Sequence, residues 1–309
     1  KFLQKLNLNN KETYNFKNDG AFLKQKKNKD LVVTNDTIIE SIDFFKNDTP
    51  KSIAYKIVTC NLSDLSSLGA NPYSYTLSLS LPKGIKINWI KEFTHSLLLL
   101  QQKYNFFLLG GDISLSKTIH LSANFFGYTN KNKIIKREYP KIGESIWVTG
   151  NIGDSYVGLL LKQKKITVNS ALKKFYFNKY LYPKPCMMGS KLINYSKCCI
   201  DISDGFIGDL SKLLNLQIGA DLISSKIPFS LNTKRLIKNK LVSIPSLLNA
   251  GDDYELIFTT PKKFDDKIVN IAKKNKFIVT KVGRIIDKKG LFLDGIKLKN
   301  FNNSFQYFF

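Results

Sequence analysis

Carboxylates are scarce in this chain, and many of them sit beside glycine in windows that contain no cation. The longest such window, Ile57 to Pro82, holds Asn61-Leu-Ser-Asp64-Leu-Ser-Ser-Leu-Gly-Ala-Asn-Pro72, in a chain where 48 of 309 residues are lysine or arginine. Leu109-Gly110-Gly111-Asp112, Asp201-Ile-Ser203-Asp204-Gly205-Phe-Ile-Gly208-Asp209 and Gly251-Asp252-Asp253-Tyr254-Glu255 lie in similar windows. Asn18-Asp19-Gly20-Ala21 and Thr34-Asn35-Asp36-Thr37 are smaller instances. With 24 carboxylates in all, this clustering asks for a counter-charge that the neighbouring sequence does not supply. Aspartate oxygens are hard ligands suited to Mg²⁺, an ion that keeps water and bridges carboxylates to phosphate oxygens. Such a set serves phosphoryl transfer, where positioning and charge neutralisation provide most of the acceleration. Gly110-Gly111 would let backbone amides approach a phosphate, as would Gly150-Asn-Ile-Gly153 ahead of a helix. Each glycine pair alone is a weak signal, because turns use glycine for its φ freedom.

Several rival chemistries fail on spacing. There is no GxxxxGK[ST] loop and no kinase-like HRD and DFG pair. A calcium loop counted from Asp201 would need glutamate at its twelfth position, which is Lys212. His95 and His120 are the only histidines and read as structural, so no histidine base is expected.

The elements that must carry these residues follow from pattern. Thr49-Pro50 opens a helix through Ile53, Ile57, Leu62, Leu65 and Leu68, and Gly69 with Pro72 stops it. Asn61, Asp64 and Ser67 form a polar stripe on that helix. Leu31–Thr34, Ser74–Leu81, Phe106–Leu109 and Ile119–Thr129 read as strands, with a helix over Trp89–Tyr104. After a basic, turn-rich stretch the pattern restarts. A strand spans 143–150 and a helix runs from Gly153 to Leu161; 162–182 is basic and helical, and Pro183-Lys-Pro185 punctuates it. Cys199–Ile202, Glu255–Thr260 and Phe277–Val282 read as strands, and Phe206–Leu216 and Phe264–Lys274 as helices. The class is mixed α/β with two domains, 1–142 and 143–309.

Formal charge is +24, almost all of it lysine, with arginine only at 137, 235 and 284. Nucleic-acid recognition leans on arginine forks, so no nucleic-acid partner is expected; the diffuse positive field suits phosphorylated metabolites. Cys60, Cys186, Cys198 and Cys199 make no CxxC pair or zinc spacing, which fits a reducing cytoplasm. No apolar run reaches membrane-span length and no signal peptide is visible, so no membrane partner is expected. The sequence opens at Lys1 without methionine, so further N-terminal residues are expected.

Five stretches in order carry a family likeness. They are Asn-Leu-Ser-Asp-Leu near Gly-Ala-Asn-Pro, Leu-Gly-Gly-Asp, Val-Thr-Gly-Asn-Ile-Gly-Asp-Ser, Asp-Ile-Ser-Asp-Gly and Gly-Asp-Asp-Tyr-Glu-Leu. From about Asn18 to Phe308 the chain closely resembles the thiamine-monophosphate kinases, in the aminoimidazole-ribonucleotide-synthetase-like superfamily. That resemblance implies direct, in-line transfer of the γ-phosphoryl group of ATP onto thiamine monophosphate, with several Mg²⁺ ions and no phospho-enzyme. It also implies two α/β domains around a cleft, and a homodimer whose N-terminal sheets pair into a barrel. Position by position, it assigns metal to Asp19, Thr34, Asn35, Asp36, Asp64, Asp112, Asp201 and Asp204. It assigns ATP to Gly111, Asp112, Arg137 and Ser203, and substrate to Asp43, Asp252 and Phe305. A carboxylate and a ring face suit a cationic thiazolium.

Three departures accompany the likeness. Lys17-Asn18-Asp19 replaces the family's Gly-Asp-Asp, Asp43 stands where a histidine is usual, and the segment before Asn18 is short. The runners-up are selenophosphate synthetase, which needs a reactive N-terminal cysteine absent before Cys60, aminoimidazole ribonucleotide synthetase, and an inactive basic binding protein on the same fold.

Overall fold

The computed structural model describes residues 2–137 and 140–298. They form two compact units: residues 2–65 with 70–132, and residues 66–69 with the described residues from 133 onward.

In the first unit, β1 (Lys29–Ile39) leads to α1 (Pro50–Ser67), β2 (Asn71–Pro82), α2 (Ile87–Tyr104), β3 (Phe107–Ser116) and β4 (His120–Asn130). The sheet order is β1-β4-β2-β3, antiparallel except between β2 and β3. Thr49 caps α1 as expected, its hydroxyl accepting the Ser52 N–H at 3.1 Å. Gly69, at φ +74°, ends the chain's run beyond α1 with two bonds of 2.9 Å, Gly69 N–H to Ser66 O and Ala70 N–H to Leu65 O. That pairing is a Schellman ending, which glycine enters without Cβ strain.

Strand alternation sorts the first sheet into two faces. Thr34, Asp36 and Ile38 share the inner face with Leu77, Leu79, Leu121, Ala123 and Phe125. The outer face is a polar ladder: Asn35 Nδ2 donates to Asn124 Oδ1 (2.9 Å), Thr37 Oγ1 to Ser122 Oγ (3.0 Å), and Asn124 Nδ2 to Thr76 Oγ1 (3.2 Å). Here one expectation is corrected. β3 does not stop at Leu109 but runs on through Gly110, Gly111 and Asp112, with a register shift that leaves Leu109 unpaired opposite Tyr75/Thr76. A Cβ on Gly111 would lie 2.0 Å from Leu77 O, whereas one on Gly110 would meet nothing within 4 Å. The first glycine of the pair opens space, and the second permits strand pairing.

The second unit contains β5 (Ser145–Thr149), α3 (Asp154–Lys162), α4 (Ser170–Leu181), α5 (Gly189–Leu192), β6 (Cys198–Asp201), α6 (Phe206–Lys212) and β7 (Gly219–Leu222). It continues with α7 (Leu231–Lys238), α8 (Ile244–Asn249), β8 (Leu256–Thr260), α9 (Asp265–Lys274), β9 (Val279–Ile286), β10 (Gly290–Leu293) and β11 (Ile296–Lys297). The sheet order is β11-β10-β7-β9-β5-β8-β6. Its central strands are buried on both faces. Ile146, Val148, Ile200 and Ile257 enter one core with Phe206 and Leu210, while Trp147, Cys199 and Phe258 enter another with Met188 and Ile268. β5 and β8 accordingly carry apolar side chains at successive positions, Ile146-Trp147-Val148 and Leu256-Ile257-Phe258.

The basic stretch 162–182 is not one helix. The chain turns at Lys164 (φ +59°), and α4 begins at Ser170, where Asn169 Oδ1 accepts the Leu172 N–H at 3.0 Å. α6 ends at Lys212 rather than Leu216. Among the described residues no helix is long and apolar enough to cross a membrane, and no disulfide forms.

Candidate active site

Within the first unit, Thr34 is buried and donates its hydroxyl to Asn61 Oδ1 at 3.1 Å, while Asn61 Nδ2 donates to Ile57 O at 3.0 Å. Asn61, read from sequence only as part of a polar stripe, therefore ties β1 to α1. Asp36 follows two residues along the same face of β1. Its Oδ2 is buried without a hydrogen-bond partner, and burial, then the Asp43 carboxylate, raises its carboxyl to about 6. A fold gains nothing by leaving such an oxygen unmatched. Asp43 lies in the turn after β1, where its Oδ2 accepts the Ile39 N–H at 2.8 Å and its carbonyl accepts Lys56 Nζ at 2.6 Å. Asp64 is half-buried on α1, one helical turn beyond Asn61, and Asp19 is exposed. Asn35 and Asp112 stand on the outer face, because Ser78 pairs with Asp112 in the register that brings Ser80 Oγ to Ser114 Oγ at 2.8 Å. One copy of this sheet thus places Asp36 and Asp112 on opposite faces.

Within the second unit, β6 ends in buried Asp201, and the loop Ile202–Gly205 turns into α6. The carboxylate that organises this loop is Asp209, which sequence reading left out of the site. Its Oδ2 accepts three consecutive amides, Ser203 (3.1 Å), Asp204 (3.0 Å) and Gly205 (3.1 Å). Its Oδ1 accepts Lys212 Nζ at 2.7 Å, and the same ammonium reaches Asp204 Oδ2 at 2.5 Å. The cation-free window stops one residue short of Lys212, so Asp204 does have a cationic neighbour once α6 forms. Lys212 is missed by a linear scan because helical spacing, not adjacency, brings it back.

The Gly251–Glu255 loop lies against the Ile202–Gly205 loop. Asp252 N–H donates to Ser203 O (3.0 Å), Tyr254 N–H to Ile202 O (2.8 Å), and Ile202 N–H to Glu255 O (2.8 Å). Tyr254 OH donates to Asp252 Oδ1 at 2.8 Å. Arg137 is exposed beside this sheet edge, since the preceding Lys136 forms a bridge with Cys198. Phe305 lies outside the described residues.

The Gly150–Gly153 turn does not fit the phosphate-cradle expectation. Gly153 N–H donates to Asp253 Oδ2 at 2.8 Å, and a Cβ on Gly150 would lie 1.9 Å from Glu255 Oε1. The chain's own carboxylates fill the turn. Burial raises Glu255 to about 7, opposed by the hydroxyl of Thr149, which donates to Oε2 at 2.5 Å. Because the native state holds this proton more tightly than the unfolded chain, stability falls as pH rises from near 4.5 through about 7. Glu255→Gln removes that loss. Discounted for partial exposure, the variant should gain about 1–2 kcal/mol on wild type between pH 5.5 and pH 8. Urea denaturation at both pH values reads this, and an equal offset at both would refute it.

No three His, Cys, Asp or Glu side chains among the described residues gather tightly enough to hold a metal ion by themselves. Of the aspartates assigned to metal, Asp19, Asp36, Asp64 and Asp112 belong to the first unit and Asp201 and Asp204 to the second.

The chain matches the family described as AIR synthase related protein, N-terminal domain, over residues 17–129 and its C-terminal domain over residues 141–296. It is 39% identical over 280 residues to the thiamine-monophosphate kinase of Buchnera aphidicola subsp. Schizaphis graminum, covering 88% of this chain and 85% of that one. Identity to the Haemophilus influenzae thiamine-monophosphate kinase is 34%, covering 89% and 83%. Superposition on the crystal structure of thiamine-monophosphate kinase from Stenotrophomonas maltophilia gives a TM-score of 0.82 at 28% identity, covering 91% and 90%. For AaThiL complexed with AMPPCP and TMP the TM-score is 0.79 at 26% identity, covering 91% and 88%.

Proposed function

This chain belongs to the thiamine-monophosphate kinases of the AIR-synthase-related family, and on that premise we propose that it transfers the γ-phosphoryl group of ATP to thiamine monophosphate, yielding thiamine diphosphate and ADP. The observation that carries the reading is Asp36, whose buried, unmatched oxygen beside a second carboxylate suits a divalent cation. In this reading Asp19, Thr34, Asn35, Asp36, Asp64 and Asp112 within the first unit, and Asp201 and Asp204 within the second, would hold Mg²⁺. When bound, the ion neutralises phosphate charge as the transfer proceeds. Gly111, Asp112, Arg137 and Ser203 bind ATP; Asp43, Asp252 and Phe305 bind thiamine monophosphate. No side chain moves a proton in this scheme, because the attacking phosphate oxygen is already ionised.

The same reading divides the labour between residues 1–142, for nucleotide, metal and dimerisation, and residues 143–309. A homodimer pairing outer sheet faces would bring Asp112 opposite a second copy, supported by the exposure of Leu31 and Val33 on that face. Four cysteines without a disulfide are in keeping with the cytoplasm. Incubation with ATP, Mg²⁺ and thiamine monophosphate should yield thiamine diphosphate, read by thiochrome fluorescence. Folded protein that makes none would end the reading.

A further inference from the structure

Lys212 pairs with Asp204, a proposed metal ligand of the second unit, and nothing in the phosphoryl-transfer scheme uses it. Its side chain bridges two carboxylates with different surroundings: Asp204 is 38% exposed, whereas Asp209 is 1% exposed. Asp209 is locked by three backbone amides, so its grip on Lys212 does not depend on Asp204. A divalent ion arriving at Asp204 would therefore meet an ammonium that remains tethered nearby.

We propose that Lys212 is a built-in counter-cation that keeps the Asp204 metal position weak until a polyphosphate adds negative charge beside it. This deepens the kinase reading and rests on it. The opposite effect, that Lys212 helps the ion by orienting the Asp204 carboxylate, is smaller: it saves the ordering of one side chain, while the ammonium repels a doubly charged ion at close range. Ion loading at Asp204 then becomes coupled to nucleotide binding, and the coupling is reciprocal. An exposed ion pair alone would carry little weight. The buried Asp209 anchor is what fixes the charge in place.

The test uses Mn²⁺, a hard divalent probe, counted by electron paramagnetic resonance with and without a non-hydrolysable ATP analogue. Wild type, Lys212→Gln, Lys212→Arg, Asp204→Asn and the double variant Lys212→Gln/Asp204→Asn are compared after their melting curves confirm folding. Without nucleotide, Lys212→Gln should tighten Mn²⁺ binding more than threefold, and the nucleotide-induced gain should shrink by the same factor. Lys212→Arg should match wild type within twofold, and the double variant should lose the tightening. Threefold or less, weaker binding, or tightening that survives in the double variant overturns the inference while leaving the kinase reading intact. An Arg variant that behaves like Gln overturns it too, since lost packing would then be the cause. If Asp204→Asn leaves Mn²⁺ binding unchanged, the metal assignment itself falls, and the inference with it.

Discussion

Asp36→Asn is expected to cut phosphoryl transfer about a thousandfold and, in metal-free buffer at pH 8, to raise the melting temperature. The activity loss follows from removing one hard anionic ligand: charge stabilisation worth several kcal/mol, and a loss of about 4 kcal/mol is roughly a thousandfold. The stability gain follows from what the wild-type carboxylate lacks. Its Oδ2 is buried without a partner and lies near Asp43, so ionisation is disfavoured and the folded carboxyl is pushed to about 6 from 3.8. A carboxyl raised in the folded state costs stability above its unfolded value, and the full cost is present once pH exceeds the folded value. Above pH 6 the asparagine variant escapes this. With screening at a partly exposed residue, the gain is about 1–2 kcal/mol, or a few degrees. Below about pH 4 both proteins are neutral at this position and the gap should close. Calorimetry in EDTA at pH 4 and pH 8, beside the product assay, checks both halves. An asparagine variant that melts lower than wild type at pH 8 would show Asp36 to be a structural carboxylate.

Gly251→Ala should remove about 3 kcal/mol of stability and around a hundredfold of turnover. A Cβ there would lie 1.9 Å from Ser203 O and 3.1 Å from Asp204 Cα. Both are backbone atoms, so no side chain can swing aside, and the two loops must part. Parting breaks the 3.0 Å bond from Asp252 N–H to Ser203 O. It also displaces Ser203, Asp204 and Asp252 together, and a shift near 1 Å is enough for a large catalytic loss. Gly84→Ala is the control. Gly84 has φ +87° with nothing within 4 Å of its Cβ position, so it carries conformational strain alone, about 1 kcal/mol, with turnover unchanged. If the two alanine variants lose equal stability and equal turnover, close loop packing is not what holds the site.

The carboxylate islands illustrate two kinds of information. Asp36 and Asp201 stand out in the sequence by type and by the absence of neighbouring cations, and the fold places both with buried atoms at or near strand ends. Asp209 lies in the same cation-free window as Asp201, and Lys212 one residue beyond it. Their roles depend on hydrogen bonds made across a helical turn. Asp253 and Glu255 lie beside Asp252 in one island, but their partners, Gly153 and Thr149, are about a hundred residues away.

By itself the sequence determined the helices and strands with strong periodicity, the cap and stop of α1, and the mixed α/β class, because those rest on local sterics and local burial. It also carried the family likeness, through short motifs whose order survives drift elsewhere. Tertiary structure alone decided that β3 runs through the glycine pair, that Asp112 stands on the opposite face from Asp36, and that the Gly150–Gly153 turn is filled by Asp253 and Glu255. Each of those outcomes is set by strand register or by a contact between distant segments. A one-residue bulge or a missing Cβ at a close approach changes which face or which amide is free, and neither leaves a trace in a linear pattern.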